Sequence, residues 1–388
     1  MIKAKKVNFI SQLFEKQQID PLYKSLSYEY NKNCVYENQK NILQENSSFL
    51  RTIIAFPKFL NPEFNALEKI KVRKIIQKKQ DCFGIIIDDK VKDTADYLQQ
   101  QFSKSSRTPI VKKMKRLESC FHINYNVFFG AIEIEEYEYL MITAHEMIIK
   151  RFEQRNDENF ILNNWDKYYK ILRSLILEKK ASIFVIYNNQ TPIQISINFH
   201  FKKIFFAYIP AYDINYSKFG LGNTAVYKQL EWCIENEYEY LDMGNGDLEY
   251  KKRWCNHHYL LETHIISAKN NSWANLLSLK VLYLTKLKNL IKDLNLVTVL
   301  VKIKSKLKNK DGTGFIESFY TLEDLDVLPN DLNEIQSDDP MYTNLNKAIC
   351  DFLYVHQDHI DNVKLYNAAS GLYYIKGKTK IQKLVIEE

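Results

Sequence analysis

Apolar residues in the middle of the chain follow the pattern of β-strands. The stretch FHINYNVFFGAI (121–132) and three later runs, ASIFVIYNN, TPIQISINFHF and KKIFFAYIPAYD, are rich in β-branched and aromatic residues. Only short polar breaks separate the last three runs, and such breaks suit hairpin turns. The pattern therefore predicts one strand, followed later by an antiparallel meander of three strands.

Apolar residues at helical spacing predict helices around these strands, over residues 135–155, 165–180 and 222–237. A short strand, YEYLDMG, and a further β-rich run, YLLETHIIS, come after the last of these helices. A meander that feeds a helix and then another strand indicates an α+β fold, with a mixed, mainly antiparallel sheet flanked by helices.

The first 120 residues give a weaker pattern. The stretches LRTIIAFPKFL and DCFGIIIDDKV predict strands, whereas residues 61–80 and 92–102 are interpreted as helices. The polar run SKSSRTPIVKKMKR (103–116) has the composition of a linker. These segments together predict an α/β unit over residues 1–120.

The C-terminal third opens with a long amphipathic helix, predicted over residues 274–308. Its apolar stripe consists of Leu276, Leu279, Tyr283, Leu287, Leu290, Leu294, Val297 and Val301. Residues 274–310 hold nine lysines and one aspartate, whereas residues 311–362 hold twelve acids and one lysine. Two interpretations stay open: the stripe lies on an anionic membrane face, or it packs on the folded domain while the acidic tail neutralises the lysines. A helix near 342–357 and a pair of hairpin strands are predicted in the tail.

Length and composition fit an ordinary soluble globular protein of two units with extensions. The chain has 388 residues, 46% hydrophobic content and a net charge of +7. We expect no secretory signal and no transmembrane span. The six cysteines form no CxxC pair, so we expect free thiols in a reducing cytoplasm and no structural zinc. The adjacent His257 and His258 would point to opposite faces of a strand, which argues against a metal site.

Two glycines mark a candidate anion site. Gly220 and Gly222 lie between the strand that contains Tyr208 and Ile209 and the helix predicted over 222–237. The start of a helix offers unpaired N–H groups and the positive end of the helix dipole, and glycine lets a diphosphate approach the backbone. Lys218 could add a point charge. The alternative is ordinary helix capping.

This loop resembles the acetyl-CoA loop of the GNAT superfamily of N-acyltransferases, Gln/Arg-x-x-Gly-x-Gly/Ala. Both glycines match, whereas Ser217 stands where Gln or Arg is usual, so one pyrophosphate contact is either missing or supplied by Lys218. The resemblance implies an acyl-CoA co-substrate, no metal, and a donor site made of Tyr208, Ile209, Ser217, Lys218, Phe219, Gly220, Leu221, Gly222 and Asn223.

A second stretch, LDMGNGDLEYKKRW (241–254), resembles the end of the cellulose-biosynthesis-type (CelD/BcsL-like) acetyltransferase domain, where an Asp-x-Gly-x-Gly turn precedes a Tyr-Lys pair. Acyl transfer to an amine needs a base for the ammonium proton and an acid for the departing thiolate. Asp242 or Asp247 could be the base, Tyr250 the acid, and Lys251 could hold an anionic group. The alternatives are that Asp247 caps the next helix, that Asp242 binds turn backbone, and that Tyr250 packs in the core.

The resemblance implies a cytoplasmic N-acyltransferase that uses direct attack, with an amine-bearing or hydroxyl-bearing acceptor in cell-surface polysaccharide or glycoconjugate synthesis. It also implies four segments: a degenerate GNAT-like half over 1–120, the acyltransferase domain over 121–268, a basic helix over 269–310, and an acidic loop with a small α+β tail over 311–388. Two alternatives remain: an aminoacyl-tRNA-dependent (Fem-type) peptidoglycan ligase, the one case with a nucleic-acid partner, and a GNAT-derived scaffold without catalysis.

Overall fold

The computed structural model describes residues 3–38, 49–155, 161–246, 248–294, 320–330, 332–335 and 344–386. Clustering of contacts divides the chain into two compact units. The first unit contains Met1–Val91, Phe199–Tyr208 and Cys233–Asp311. The second unit contains Lys92–Asn198, Ile209–Trp232 and Gly312–Glu388.

The described strands, in chain order, are β1 (Lys3–Asn8), β2 (Tyr23–Tyr28), β3 (Cys34–Glu37), β4 (Phe49–Pro57), β5 (Leu60–Phe64), β6 (Ile70–Ile86), β7 (Ile123–Phe128), β8 (Ala181–Asn188), β9 (Thr191–Phe201), β10 (Ile204–Tyr212), β11 (Tyr240–Asn245), β12 (His257–Ala268), β13 (Tyr320–Leu325), β14 (Asn333–Ile335), β15 (Lys364–Ala369), β16 (Leu372–Lys376) and β17 (Ile381–Ile386).

The described α-helices are α1 (Thr94–Gln101), α2 (Lys104–Cys120), α3 (Ile134–Arg155), α4 (Trp165–Leu177), α5 (Leu221–Glu235), α6 (Glu249–Trp254), α7 (Ser272–Asp293) and α8 (Asn346–His356). Strands β9 and β10 and helix α5 each contribute residues to both units.

The first unit is built on strands in the order β1-β4-β12-β6-β11-β10. Strand β12 pairs antiparallel with β4 and β6, and β11 pairs antiparallel with β6. Strand β11 runs parallel to β10, with Tyr240 opposite Ile204. The strand of the second motif therefore lies beside the strand that precedes the donor loop. Strands β3, β2 and β5 form a separate three-stranded sheet.

The second unit contains the order β10-β9-β8-β7 and a five-stranded sheet in the order β13-β17-β16-β15-β14. Strand β7 pairs antiparallel with β8. In the five-stranded sheet, the pairs β13–β17, β17–β16, β16–β15 and β15–β14 are antiparallel. Helix α8 and this sheet are the described elements of the C-terminal part of the chain. The predicted α+β class, with a large, mainly antiparallel sheet flanked by helices, is confirmed.

Two predictions for the N-terminal third are wrong. Residues 61–80, predicted as a helix, belong to strands β5 and β6, and β6 is held by β12 on one side and β11 on the other. Residues 103–116, predicted as a linker, lie in helix α2. This helix buries Ile110, Met114 and Leu117 at helical spacing, so packing holds it in place.

Helix α7 packs on the first unit with its small and polar face. Ala274 and Ser278 are buried, while the predicted apolar stripe is turned to solvent. The interpretation that this stripe packs on the folded domain is wrong for six positions that are 36% to 64% exposed: Leu276, Leu279, Tyr283, Leu287, Leu290 and Leu294. Val297, Val301 and the rest of the predicted helix lie outside the described residues.

No helix in the described part of the chain has both the length and the hydropathy to cross a bilayer.

Candidate functional site

The predicted donor loop joins strand β10 to helix α5. A short 3₁₀ turn, Ile214–Phe219, leads into Gly220, which has a left-handed conformation with φ 71°. A residue with a side chain would be strained there. Phe219 and Leu221 are buried on either side of the glycine. The loop is therefore anchored in the core just before and just after its sharpest turn.

The start of helix α5 faces open space. A Cβ atom added at Gly222 would meet no atom within 4 Å. The neighbouring Asn223 donates its backbone N–H to the carbonyl of Gly220 at 3.0 Å, and Ser217 and Lys218 are exposed. Backbone N–H groups at a helix start attract anions, and Gly222 leaves room for one to approach.

Lys113 of helix α2 adds a cationic side chain beside this loop. Its Cδ atom lies 3.3 Å from the position that a Cβ of Gly220 would take. The aliphatic stem thus covers the left-handed glycine, and its ammonium group can contribute positive charge there. Sequence reasoning missed Lys113 because residues 103–116 were assigned to a linker. The buried positions of α2 at helical spacing were the signal that could have found it.

The other predicted donor residues lie in strand β10. Tyr208 is half-buried, and its ring centroid lies 5.4 Å from that of Phe199. Ile209 is buried. Of the two, Tyr208 retains a surface that a ligand could contact.

The C-terminal helix α8 supports the donor loop. Asp351 of α8 is buried, and its Oδ2 lies 3.0 Å from the ammonium nitrogen of Lys218. The same oxygen accepts a hydrogen bond from the Tyr320 hydroxyl at 2.6 Å. The apolar side chains of α8 pack in one buried cluster with Phe219 and Leu221. The tail is therefore part of the structure that shapes this loop.

The second motif forms a turn at the end of strand β11. Gly244 has φ 67° and Gly246 has φ 131°, both in the region that favours glycine. Asp242 is fully buried, and its Oδ1 accepts hydrogen bonds from the Gly244 N–H at 2.8 Å and the Tyr259 hydroxyl at 2.7 Å. Burial raises the pKa of Asp242 to about 6, against the opposing effects of Tyr259, Gly244 and Lys251.

Lys251 closes this turn. Its side chain is buried, and its ammonium group donates to the carbonyls of Met243 at 2.7 Å and Asn245 at 2.8 Å. Burial lowers the pKa of Lys251, while the nearby Asp242 carboxylate acts in the opposite direction. The structure thus brings Asp242 and Lys251 together around one turn. Tyr259, which sequence reasoning missed, joins them, and no local sequence signal indicated it.

The remaining predicted residues of the second motif are in or near helix α6. Tyr250 is half-buried in this helix, and Trp254 is buried one turn later. Asp247 lies outside the described residues. From Ile209 onward the predicted donor residues belong to the second unit, whereas Asp242, Tyr250 and Lys251 belong to the first.

One group of possible metal ligands occurs among the described residues. His122, His359 and Asp361 place donor atoms within 4.8 Å of one another. The Asp361 carboxylate lies 3.0 Å from Nε2 of His122 and 3.2 Å from Nδ1 of His359. These mutual contacts account for the cluster as a set of polar side chains that contact one another.

Comparison with known proteins supports a GNAT-type domain. Residues 104–252 match the family model described as an acetyltransferase (GNAT) domain. This range contains the donor loop, strand β11 and the first residues of α6. No curated protein matches the chain. The family match supports a GNAT-type acyltransferase domain. It does not distinguish the cellulose-biosynthesis type from other types of this superfamily.

Several solved structures are similar at low identity. A conserved protein of unknown function from Bacteroides thetaiotaomicron has 10% identity and a TM-score of 0.39, covering 57% of this chain and 70% of its own. FemX has 13% identity and a TM-score of 0.40, with coverage of 60% and 75%. A GCN5-related N-acetyltransferase from Kribbella flavida has 11% identity and a TM-score of 0.25, with coverage of 58% and 70%.

Proposed function

We propose that the protein is an N-acyltransferase that transfers an acetyl or longer acyl group from a CoA thioester to an amine, or to a hydroxyl group. The observation that carries this proposal is the start of helix α5. There Gly220 adopts φ 71° and Gly222 faces open space, within a region that matches the acetyltransferase family model.

The proposed donor site uses the backbone at the start of α5 to hold the diphosphate of the acyl-CoA. The N–H group of Gly222 suits this purpose, because a helix start has donors without intrahelical partners, whereas the N–H of Asn223 is donated to the Gly220 carbonyl. In this site Lys113 takes the place of the usual Gln or Arg as the side chain that contacts the diphosphate. Ser217, at the usual position, is uncharged, and the ammonium group of Lys218 is paired with Asp351 at 3.0 Å. Tyr208 and Ile209 would contact the donor along strand β10.

The proposed acid–base set comes from the second motif. Tyr250 has a phenolic proton that suits protonation of the departing thiolate, and Asp247 would accept a proton from the attacking ammonium. Asp242 and Lys251 are given positioning roles, because both are buried and both bond to the turn that carries these residues. Direct attack on the thioester is proposed, because neither motif contains a cysteine that could form an acyl intermediate.

The proposed acceptor is a precursor of a cell-surface polysaccharide or glycoconjugate, which follows from the resemblance of residues 241–254 to cellulose-biosynthesis-type acetyltransferases. The proposed compartment is the cytoplasm. All six cysteines are described and free, which favours a reducing environment.

Calorimetric titration with acetyl-CoA and with longer acyl-CoAs tests the donor assignment. We expect micromolar binding to the full chain, and we expect Gly222→Trp to abolish it, because the indole would fill the open space at the helix start. Gly222 has no close neighbours, so the variant should stay folded.

Val327→Trp is the matched control, because it adds the same side chain at a position that is 77% exposed in the tail. It should leave acyl-CoA binding unchanged. Failure of the wild-type chain to bind any acyl-CoA, or undiminished binding to Gly222→Trp, would overturn the proposal. Binding of aminoacyl-tRNA in place of acyl-CoA would instead support the Fem-type alternative.

A further inference from the structure

Helix α7 is attached to the first unit through polar contacts. The Asn289 amide donates to the carbonyl of Ile76 at 2.7 Å and accepts from the N–H of Lys78 at 3.2 Å. About four helical turns earlier, the Asn275 amide donates to the carbonyl of Lys269 at 2.9 Å. Polar side chains thus hold the helix against the edges of strands β6 and β12.

The residues that face the sheet are small or polar. Ala274 and Ser278 are buried, and Thr285 and Asn289 are half-buried. They recur at spacings of four, seven and four residues, so they lie along one side of the helix. Amphipathic helices of globular proteins normally bury an apolar side, and α7 has the reverse arrangement.

The outward side of the helix is a continuous apolar surface, which we call the α7 stripe: Trp273, Leu276, Leu279, Tyr283, Leu287, Leu290 and Leu294. All seven side chains are exposed, Tyr283 by 64% and Leu279 by 36%. Single exposed apolar residues are ordinary, whereas a contiguous row of this length marks a surface that contacts an apolar partner.

Lysines flank the α7 stripe. Lys280 and Lys286 are exposed, and at about 100° per residue they project to its two sides. The ammonium group of Lys286 lies 5.6 Å from the ring centroid of Tyr283. The helix contains one acid, Asp293, whose Oδ2 lies 3.7 Å from the ammonium nitrogen of Lys78. The surface therefore combines an apolar centre with positive edges.

We propose that the α7 stripe docks on an anionic lipid bilayer, with the helix lying in the plane of the membrane surface. An apolar row flanked by lysines suits the boundary between acyl chains and anionic headgroups. Trp273 and Tyr283 suit the same depth, because aromatic side chains favour the interface. A second copy of the chain is a poorer occupant, since pairing two such surfaces brings like charges together.

Vesicle co-sedimentation of the full chain tests this proposal. We expect binding to vesicles of phosphatidylcholine mixed with phosphatidylglycerol, and at least about tenfold weaker binding to phosphatidylcholine alone. Added salt should weaken binding, because screening reduces the attraction between lysines and lipid. Leu287→Glu with Leu290→Glu should reduce affinity by at least about tenfold. Lys280→Gln with Lys286→Gln should reduce it by about thirtyfold, because each lysine near an anionic surface contributes about 1 kcal/mol.

Leu67→Glu with Ile142→Glu is the matched control. It makes the same number of apolar-to-acidic changes at positions that are 60% and 56% exposed, so vesicle binding should be retained. Circular dichroism confirms that each variant is folded, and the altered α7 residues are exposed enough to tolerate the change. Equal loss of binding in the control and in the Leu287/Leu290 variant would overturn the proposal. A wild-type chain that binds no vesicles would also overturn it. This holds whether the chain is a monomer or a dimer that the Leu287/Leu290 variant dissociates.

Discussion

The ammonium group of Lys218 lies 3.0 Å from the carboxylate of Asp351. This ion pair joins the proposed donor loop to helix α8, more than a hundred residues further along the chain. Asp351 is buried, and its carboxylate also accepts a hydrogen bond from the Tyr320 hydroxyl. The position of the loop therefore depends on the C-terminal tail.

Replacing Asp351 tests this dependence. Asp351→Asn keeps the shape of the side chain but removes the charge that Lys218 faces, so we expect the free energy of unfolding to fall by about 1–3 kcal/mol. The half-exposed position of Lys218 keeps this below the cost of breaking a fully buried pair. Urea unfolding measures the change. Asp326→Asn, an exposed change in the same tail, should stay within about 0.5 kcal/mol; equal effects would contradict the role given to Asp351.

Replacing Lys113 or its neighbour Lys112 distinguishes a direct contact with the acyl-CoA donor from a general effect of surface charge. Lys113 lies over Gly220, whereas Lys112 is exposed on the same helix. We expect Lys113→Ala to weaken acetyl-CoA binding by about three- to tenfold, roughly 1 kcal/mol, because a cation near the diphosphate is lost. Lys112→Ala should change it by less than twofold, as calorimetry would show. A larger effect at Lys112 would argue against the proposed donor contact.

The strands and helices that were predicted correctly have strong local patterns. Helices α3, α4 and α5 repeat apolar residues at helical spacing, and strands β8 to β10 are long apolar runs with short turns. The first part of strand β6, residues 70–80, has no such pattern. Its lysines and arginine favour a helix locally, and it is a strand because β12 and β11 pair with it from distant parts of the sequence.

The candidate site was predictable where its residues are adjacent in sequence. The glycines of the donor loop and the Asp242 to Lys251 stretch each form one local turn, as their composition indicated. Tyr259 joins Asp242 only because both flank strand β6, where Gly84 pairs with Asp242 and Cys82 with Tyr259. Long-range strand register of this kind leaves no local sequence signal.

The buried carboxyl of Asp242 should make stability depend on pH. Its pKa is about 6 in the fold and near 3.8 when unfolded, so the fold binds more protons between these values. The free energy of unfolding should therefore fall as pH rises from about 4 to 7, by about 1–3 kcal/mol from this group.

Asp242→Asn isolates this effect, because it keeps the acceptor for Gly244 and Tyr259 and cannot ionise. Urea unfolding at a series of pH values should show the variant close to wild type near pH 4 and more stable than wild type near pH 7. If the difference between the two proteins does not change with pH, Asp242 does not titrate as proposed.

Two consecutive lysines distinguish a buried from an exposed ammonium group. Lys251 donates to two turn carbonyls, whereas Lys252 is exposed and faces Glu249 at 3.3 Å. Lys251→Met should lower the free energy of unfolding by about 2–4 kcal/mol, because two carbonyls lose their donor. Lys252→Met should cost less than about 0.5 kcal/mol, as expected for an exposed pair. Similar costs in urea unfolding would show that Lys251 does not hold the turn.

Gly84 of strand β6 is needed for close packing against Tyr240. Tyr240 is fully buried, its hydroxyl lies 3.0 Å from Nδ1 of His257, and a Cβ atom at Gly84 would overlap its phenol ring. Gly84→Ala should therefore lower the free energy of unfolding by about 1–3 kcal/mol, because the ring must leave its position.

Gly222→Ala is the control: it adds the same methyl group where no atom lies within 4 Å, at the start of a helix that alanine favours. It should leave stability unchanged or raise it by up to about 1 kcal/mol. Urea unfolding compares the stabilities of the two variants. A Gly84→Ala protein as stable as wild type would show that Tyr240 does not pack closely against Gly84.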